Sequence, residues 1–188
     1  MKNFKQTSKS LCVIFVLLFI TNQIYAHEGK AYLGFGGGLD YGGIGAKLEL
    51  LPIKNVGIFG GLGFNNLFFR RGFNKLSAGY NAGATYKILP DGKVSPNLML
   101  MYGYNAVLMS ENSFGGYYVD MTSYGITAGC NLDIMLGNAG NKLSIGVFVP
   151  IRSKKFRDHY NSIKNDPRIE MKQDLLPVAI SIGYNFKM

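Results

Sequence analysis

The C-terminal segment, residues 175–188, reads as one strand, which alternates between apolar residues and small or amide-bearing ones from residue 178 to residue 186. Val178, Ile180, Ile182, Tyr184 and Phe186 take one set of alternate positions, and Ala, Ser, Gly and Asn take the other. Because side chains alternate across a β-strand, the pattern predicts a strand with one wholly apolar face. The same alternation recurs along the chain, with scarcely any charge on either face, which is typical of a lipid-facing β-barrel.

The alternation predicts eight strands separated by unequal connections. The predicted strands are residues 31–40, 43–51, 55–64, 76–88, 94–108, 118–135, 142–151 and 175–187. Turn residues mark short connections at 52–55, 90–92 and 137–141, and the first connection, around 40–43, is also tight. The connections at 65–75, 109–117 and 152–174 are long. Outer-membrane barrels alternate short periplasmic turns with long external loops in this way.

The predicted faces fit a narrow barrel. The outward rows carry no charge, and every inward row contains glycine, as at Gly45, Gly103 and Gly183. An eight-stranded barrel is only wide enough inside for its own side chains, so small residues there let the wall close. We therefore predict an all-β fold, an eight-stranded antiparallel up-and-down transmembrane β-barrel. Aromatic girdles are expected at both ends, formed by Tyr86, Tyr184 and Phe186 and by Phe64, Tyr104 and Tyr124.

The N-terminal segment predicts export. Lys2, Lys5 and Lys9 precede the apolar run 11–20, and Ala26 offers a small residue at a cleavage point. We predict a cleaved signal peptide at residues 1–26 and one barrel domain at 27–188. The full chain has a net charge of +9, and removing three lysines leaves the barrel basic. One cysteine remains after cleavage, which excludes an internal disulfide, and it is expected to face lipid.

A few ionisable residues fall on the inward rows: Lys47, Glu49, Lys87 and Asp133. Unpaired buried charge is costly, so these side chains are expected to pair and plug the lumen with a polar network. The alternative is an ion path gated by the same network.

The long external loops are basic and aromatic. Their candidate contact residues are Arg70, Arg71, Lys75, Arg152, Lys154, Lys155 and Arg157. Guanidinium and ammonium groups favour the phosphates of lipopolysaccharide or an acidic external partner, and the alternative is ordinary solvated charge. Nucleic acid is not expected for an exported chain without a recognition motif.

The signal peptide, the eight alternating segments, the unequal loops and the closing segment 182–186 resemble the small outer-membrane β-barrel proteins of Gram-negative bacteria, the OmpA/OmpX-like group. The resemblance covers nearly all of the chain after residue 26. It implies a place in the outer membrane, among its lipids and lipopolysaccharide. It also implies that Tyr184 and Phe186 form the C-terminal signal for the barrel-assembly machinery, although Lys187 and Met188 follow here.

The resulting hypothesis is a monomeric, non-enzymatic outer-membrane scaffold with no cofactor and no metal site. Three alternatives stay open. The first is a lipid A-modifying enzyme, which would use His159 together with Ser162 and Asp158. The second is a soluble exported barrel that binds an apolar ligand, as lipocalins do. The third is a small pore.

Overall fold

The computed structural model describes residues 30–65, 77–111, 117–166 and 175–188. Their eight strands form one closed barrel, in which each strand pairs antiparallel with its sequence neighbours and the last closes against the first. The strands are β1 (Lys30–Gly38), β2 (Gly43–Ile53), β3 (Val56–Asn65), β4 (Ser77–Lys87), β5 (Val94–Glu111), β6 (Tyr117–Leu136), β7 (Asn141–Pro150) and β8 (Ala179–Lys187). The prediction of an all-β, eight-stranded antiparallel barrel is therefore confirmed. The predicted signal peptide, residues 1–26, lies outside the described residues.

The barrel has two unlike ends, which we call the turn end and the loop end. Connections 54–55, 88–93 and 137–140 lie at the turn end. At the loop end, the pairing of β4 with β5 ends at Gly103, and the pairing of β7 with β6 ends at Thr127. The pairing of β5 with β6 continues further, as far as Glu111 and Tyr117. These two strands are longer than predicted, because a two-stranded ladder continues above the closed wall. β8 starts at residue 179 rather than 175.

A helix, α1 (Lys154–Lys164), occupies part of the 152–174 connection, which the sequence predicts only as a long loop. The Ser153 side chain caps it by accepting a hydrogen bond from the Phe156 N–H at 3.2 Å. Phe156 and Ile163 lie on one helix face and are buried against Ala106 and Leu108 of β5. The sequence pattern does not predict this helix, because the apolar face of the helix is narrow and the strand on which it packs is distant in the chain.

The outward rows of the wall are apolar on all eight strands. Taking every second residue, the rows run over Ala31–Gly37, Ile44–Leu50, Val56–Phe64, Ala78–Tyr86, Val94–Tyr102, Tyr124–Leu136, Leu143–Val149 and Ile180–Phe186. We call this surface the outer belt. It holds no acidic, basic, amide, serine or threonine side chain, and most of its large residues are exposed, to 58% at Leu100 and 72% at Ile180.

Inside the barrel, a buried apolar cluster fills the middle of the lumen. Its members are Leu39, Phe59, Met99, Met101, Tyr104 and Phe148. The prediction that Tyr104 belongs to an external girdle is wrong, because the residue is buried in this cluster, beside a β-bulge between Tyr104 and Ala106. On the outside, the rings of Tyr80 and Tyr124 stack with centroids 4.7 Å apart.

The connection between β1 and β2 turns into the barrel. Leu39, Asp40 and Tyr41 form a single 3-10 turn, and all three are buried. We call these residues the interior turn. The sequence predicts a tight connection here, but it places residues 39 and 40 at the end of β1, in the barrel wall. The chain can enter the lumen because Gly42 adopts the left-handed region, with φ at 70°, and packs without a side chain against Gly79.

Gly42→Ala is expected to destabilise the barrel more than an alanine at another left-handed glycine. A Cβ at residue 42 would collide with the carbonyl group of Gly79, whereas one at Gly137, with φ at 61°, would meet nothing within 4 Å. We expect Gly137→Ala to lower the free energy of unfolding by ~1–2 kcal/mol, the strain of a left-handed alanine. Gly42→Ala should add ~1–3 kcal/mol of steric strain. Equal losses in urea unfolding would contradict this role of Gly42.

Candidate functional site

Four of the buried charged side chains meet near the turn end of the lumen. Lys87 Nζ lies 3.1 Å from Asp133 Oδ2 and 3.8 Å from Glu49 Oε1. Lys142 Nζ lies 2.7 Å from Asp133 Oδ2 and also pairs with Glu49. Both carboxylates therefore bridge both lysines. Lys142 stands beside Tyr32, with its Nζ 4.4 Å from the ring centroid, which adds a cation–π contact.

Asp133 is the centre of this cluster. Besides the two lysines, it accepts hydrogen bonds from Ser144 Oγ at 2.6 Å and from Asn131 Nδ2 at 2.7 Å. Asn185 in turn donates to Ser144 Oγ at 2.8 Å. A buried carboxylate with this many donors has its lone pairs satisfied, which is the condition under which buried charge is tolerated.

Lys47, the remaining predicted residue of the network, belongs to a separate pair. It donates to Asp40 of the interior turn, and its Nζ lies 4.5 Å from the ring centroid of Tyr41. Asp40 also accepts from Ser181, and Tyr41 donates to Asn185 at 3.3 Å. The interior turn is thus attached to the wall by polar contacts on several strands.

The buried charges of the described residues balance to zero. They are Asp40, Glu49 and Asp133 against Lys47, Lys87 and Lys142. Sequence reasoning missed two of them. Lys142 had a usable signal, because it alternates with the outward Leu143 and so belongs to an inward row. Asp40 had none, since a turn residue follows no strand alternation.

A cavity of about 440 Å³ opens below the ion pairs at the turn end. Lys87 and Asp133 line it, and an exposed pair between Lys54 and Asp91, 2.5 Å apart, lies at its rim. Above it the ion-pair cluster and the apolar cluster occupy the lumen, and Phe148 is completely buried there. The arrangement is that of a packed interior with a cavity at the turn end.

At the loop end the predicted contact residues divide into two groups. Arg70, Arg71 and Lys75 lie outside the described residues. Lys154, Lys155 and Arg157 are exposed on the first turn of α1, and Arg152 precedes the helix and is half-buried. The described part of this connection therefore presents a basic surface at the loop end.

Arg152 lines a cleft between β5 and the start of β8. Its Nη2 donates to the Leu176 carbonyl oxygen at 2.7 Å. Partial burial lowers the pKa of the guanidinium from its ordinary value, although arginine stays protonated in proteins. The side chain is therefore a fixed positive charge.

The residues considered for catalysis lie on α1, above an open groove beside Met121. Ser162 donates its hydroxyl hydrogen to the His159 backbone carbonyl at 2.8 Å, a contact within the helix. Asp158 is adjacent in sequence and exposed. In the described parts of the chain, no group of three or more His, Cys, Asp and Glu side chains is placed to hold a metal ion.

Tyr184 and Phe186, predicted to form the assembly signal, lie on the outer belt near the end of β8. Their ring centroids are 4.8 Å apart, and Phe186 also contacts Phe35 of β1, with centroids 6.4 Å apart. Cys130 is exposed on the same belt. Within the described ranges, no helix has the length and hydropathy needed to cross a membrane.

The fold and interior together define a closed eight-stranded barrel with a charge-balanced lumen and an apolar outer wall. Comparisons with protein-family models, with curated proteins and with solved structures found no match to this chain.

Proposed function

We propose that this chain is an integral outer-membrane β-barrel of a Gram-negative bacterium, acting as a membrane-anchored scaffold rather than as an enzyme. The outer belt is the observation that carries the proposal. A water-facing surface usually has about 25–35% charged residues, and large exposed apolar patches mark contact with another apolar phase or partner. Because the belt covers all eight strands, a lipid bilayer matches it better than a partner on one side.

The height of the belt supports this proposal. On β3 the belt runs from Val56 to Phe64, or about 26 Å along a strand at ~3.3 Å per residue. A strand tilt of about 40° reduces this to a vertical height of about 20 Å, close to the ~25 Å apolar band of outer-membrane barrels. Exposed tyrosines stand near both edges, at Tyr86 and at Tyr80 and Tyr102. Tyrosine favours such interfaces, because its ring is apolar and its hydroxyl is polar.

The interior also favours a membrane barrel over a lipocalin-like one. A ligand-binding barrel in water would place charge outside and an apolar cavity inside. In the described residues, the outer rows are uncharged and the buried charges pair inside. A closed ladder satisfies the backbone hydrogen bonds that lipid cannot. The packed lumen, with Phe59 and Phe148 at its centre, favours a scaffold over a pore.

The loop end is the outward-facing end in this proposal, and its basic residues contact anionic headgroups. Lys154, Lys155 and Arg157 are exposed and free to approach the phosphates of lipopolysaccharide or an acidic external partner. Arg70, Arg71 and Lys75 would add to this surface. The short connections at the other end then face the periplasm.

Export and assembly complete the proposal. Residues 1–26 would direct secretion and be removed, and the barrel-assembly machinery would recognise Tyr184 and Phe186 at the end of β8. The barrel would function as a monomer. These features are the ones implied by the resemblance to OmpA/OmpX-like barrels.

Membrane fractionation of the expressed protein, followed by gel electrophoresis with and without boiling, tests the proposal. We expect recovery with the outer membrane and a change of mobility on boiling, because a closed barrel resists detergent unfolding until it is heated. A periplasmic protein that is soluble without detergent would overturn the proposal and direct attention to an apolar ligand.

A further inference from the structure

A cleft at the loop end combines apolar walls with one fixed cation. It lies between β5, at Tyr104–Val107, and the segment 175–180, and its volume is about 350 Å³. Small-molecule sites commonly have volumes of about 300–1,000 Å³. On its β8 side, Leu176, Val178 and Ile180 are exposed, at 63%, 44% and 72%. Ile180 also belongs to the outer belt, so the cleft is continuous with that surface.

Arg152 is the one charged residue among the described residues that line this cleft. Its Nε atom is buried and donates to no acceptor within the described ranges. Among the described residues, no carboxylate forms a salt bridge with Arg152 either. The bond from Nη2 to the Leu176 carbonyl holds the guanidinium in place. A held guanidinium with unused donors suits an oxyanion, because its planar fork of N–H groups matches phosphate geometry.

We propose that the cleft binds one anionic membrane lipid, with its phosphate on Arg152 and an acyl chain against Val178 and Ile180. The inference rests on the proposed function, which places the belt in lipid and the cleft at its outer edge. Continuity with the belt favours a lipid over a soluble ligand, and the exposed Lys154 and Lys155 nearby along the chain favour an anion over a cation.

Binding of dodecyl phosphate, a single-chain phosphate ester, to the refolded protein in nonionic detergent tests this site. The chain has no tryptophan, so Leu176→Trp introduces a single fluorescent reporter at the cleft. In that background, Arg152→Gln should raise the Kd about tenfold or more, because a charge-assisted bond is lost. Arg152→Lys should restore only part of the affinity, since lysine is a point charge without the planar fork.

Lys164→Gln is the matched control, because it removes the same charge from an exposed position of α1 that does not line the cleft. We expect its Kd to stay close to that of the parent. Equal losses in the Arg152 and Lys164 variants would overturn the proposal in favour of diffuse charge attraction. No loss in Arg152→Gln would overturn it directly.

Two control ligands distinguish an anionic lipid from the other possible occupants of the cleft. Dodecanol that binds as tightly as dodecyl phosphate would reduce the site to an apolar groove, and inorganic phosphate that competes equally well would assign it to a soluble anion. Either result overturns the lipid proposal. The heat-dependent gel mobility and the membrane fractionation are measured on the same variants. A barrel that is found in the membrane but does not bind the probe therefore refutes this inference alone.

Discussion

Replacing Leu100 with arginine is expected to prevent stable insertion of the barrel into lipid. Leu100 lies on the β5 row of the outer belt, which runs from Val94 to Tyr102, and is 58% exposed, so an arginine fits without displacing any protein atom. In water such a surface change usually alters stability by less than about 0.5 kcal/mol. At the centre of a bilayer, a basic side chain on the lipid face of a barrel costs ~2–4 kcal/mol. The folded fraction in lipid vesicles, followed by gel mobility without boiling, measures the difference.

Asn161→Arg is the control for this experiment. It adds the same charge at an exposed position of α1, outside the belt, and should leave the folded fraction unchanged. If Leu100→Arg folds into vesicles as well as Asn161→Arg does, residue 100 does not face lipid and the proposed location is wrong. The comparison is direct because neither substitution removes a packed side chain.

The second large effect is expected from Asp133→Asn. The change keeps the size of the side chain but leaves Lys87 and Lys142 with Glu49 as their only carboxylate among the described residues, so the interior gains an unbalanced positive charge. Removing one partner of a buried ion pair typically costs ~3–5 kcal/mol. We expect a loss of this size in the free energy of unfolding, measured with urea on the refolded protein.

Two comparisons make this prediction specific. Asp91→Asn breaks the exposed pair with Lys54 and should cost at most ~1 kcal/mol, because water solvates the lysine that remains. Adding Lys87→Met to Asp133→Asn restores the charge balance and should recover part of the stability. If Asp133→Asn costs no more than Asp91→Asn, or if the double variant is less stable than Asp133→Asn, charge balance does not stabilise this interior.

Strand alternation located much of the charged interior in advance. It placed Lys47, Glu49, Lys87 and Asp133 on inward rows, where the structure has them, and the same logic applied one strand further would have included Lys142. The alternation could not predict which lysine pairs with which carboxylate. Glu49 and Lys142 are separated by 93 positions, so their contact depends on barrel closure and register rather than on local sequence.

Departures from regular alternation caused the errors in the prediction. The alternation predicts Tyr104 as a girdle residue, whereas the structure buries it beside a β-bulge. One extra residue in a strand leaves little trace in a sequence. The helix α1 was not predicted, because it lies in a charged segment. Phe156 and Ile163 become core residues only when Ala106 and Leu108 are present to cover them.

The sequence by itself determined the number of strands, their antiparallel order and the face that each apolar row occupies. These properties follow from the two-residue period of a strand and from the spacing of turns, both of which are local. Only the tertiary structure decided that Leu39–Tyr41 enters the lumen, which lysine meets which carboxylate, and that α1 packs on β5. Those features depend on contacts between distant segments, such as Ser181 with Asp40, which form only when β8 closes against β1.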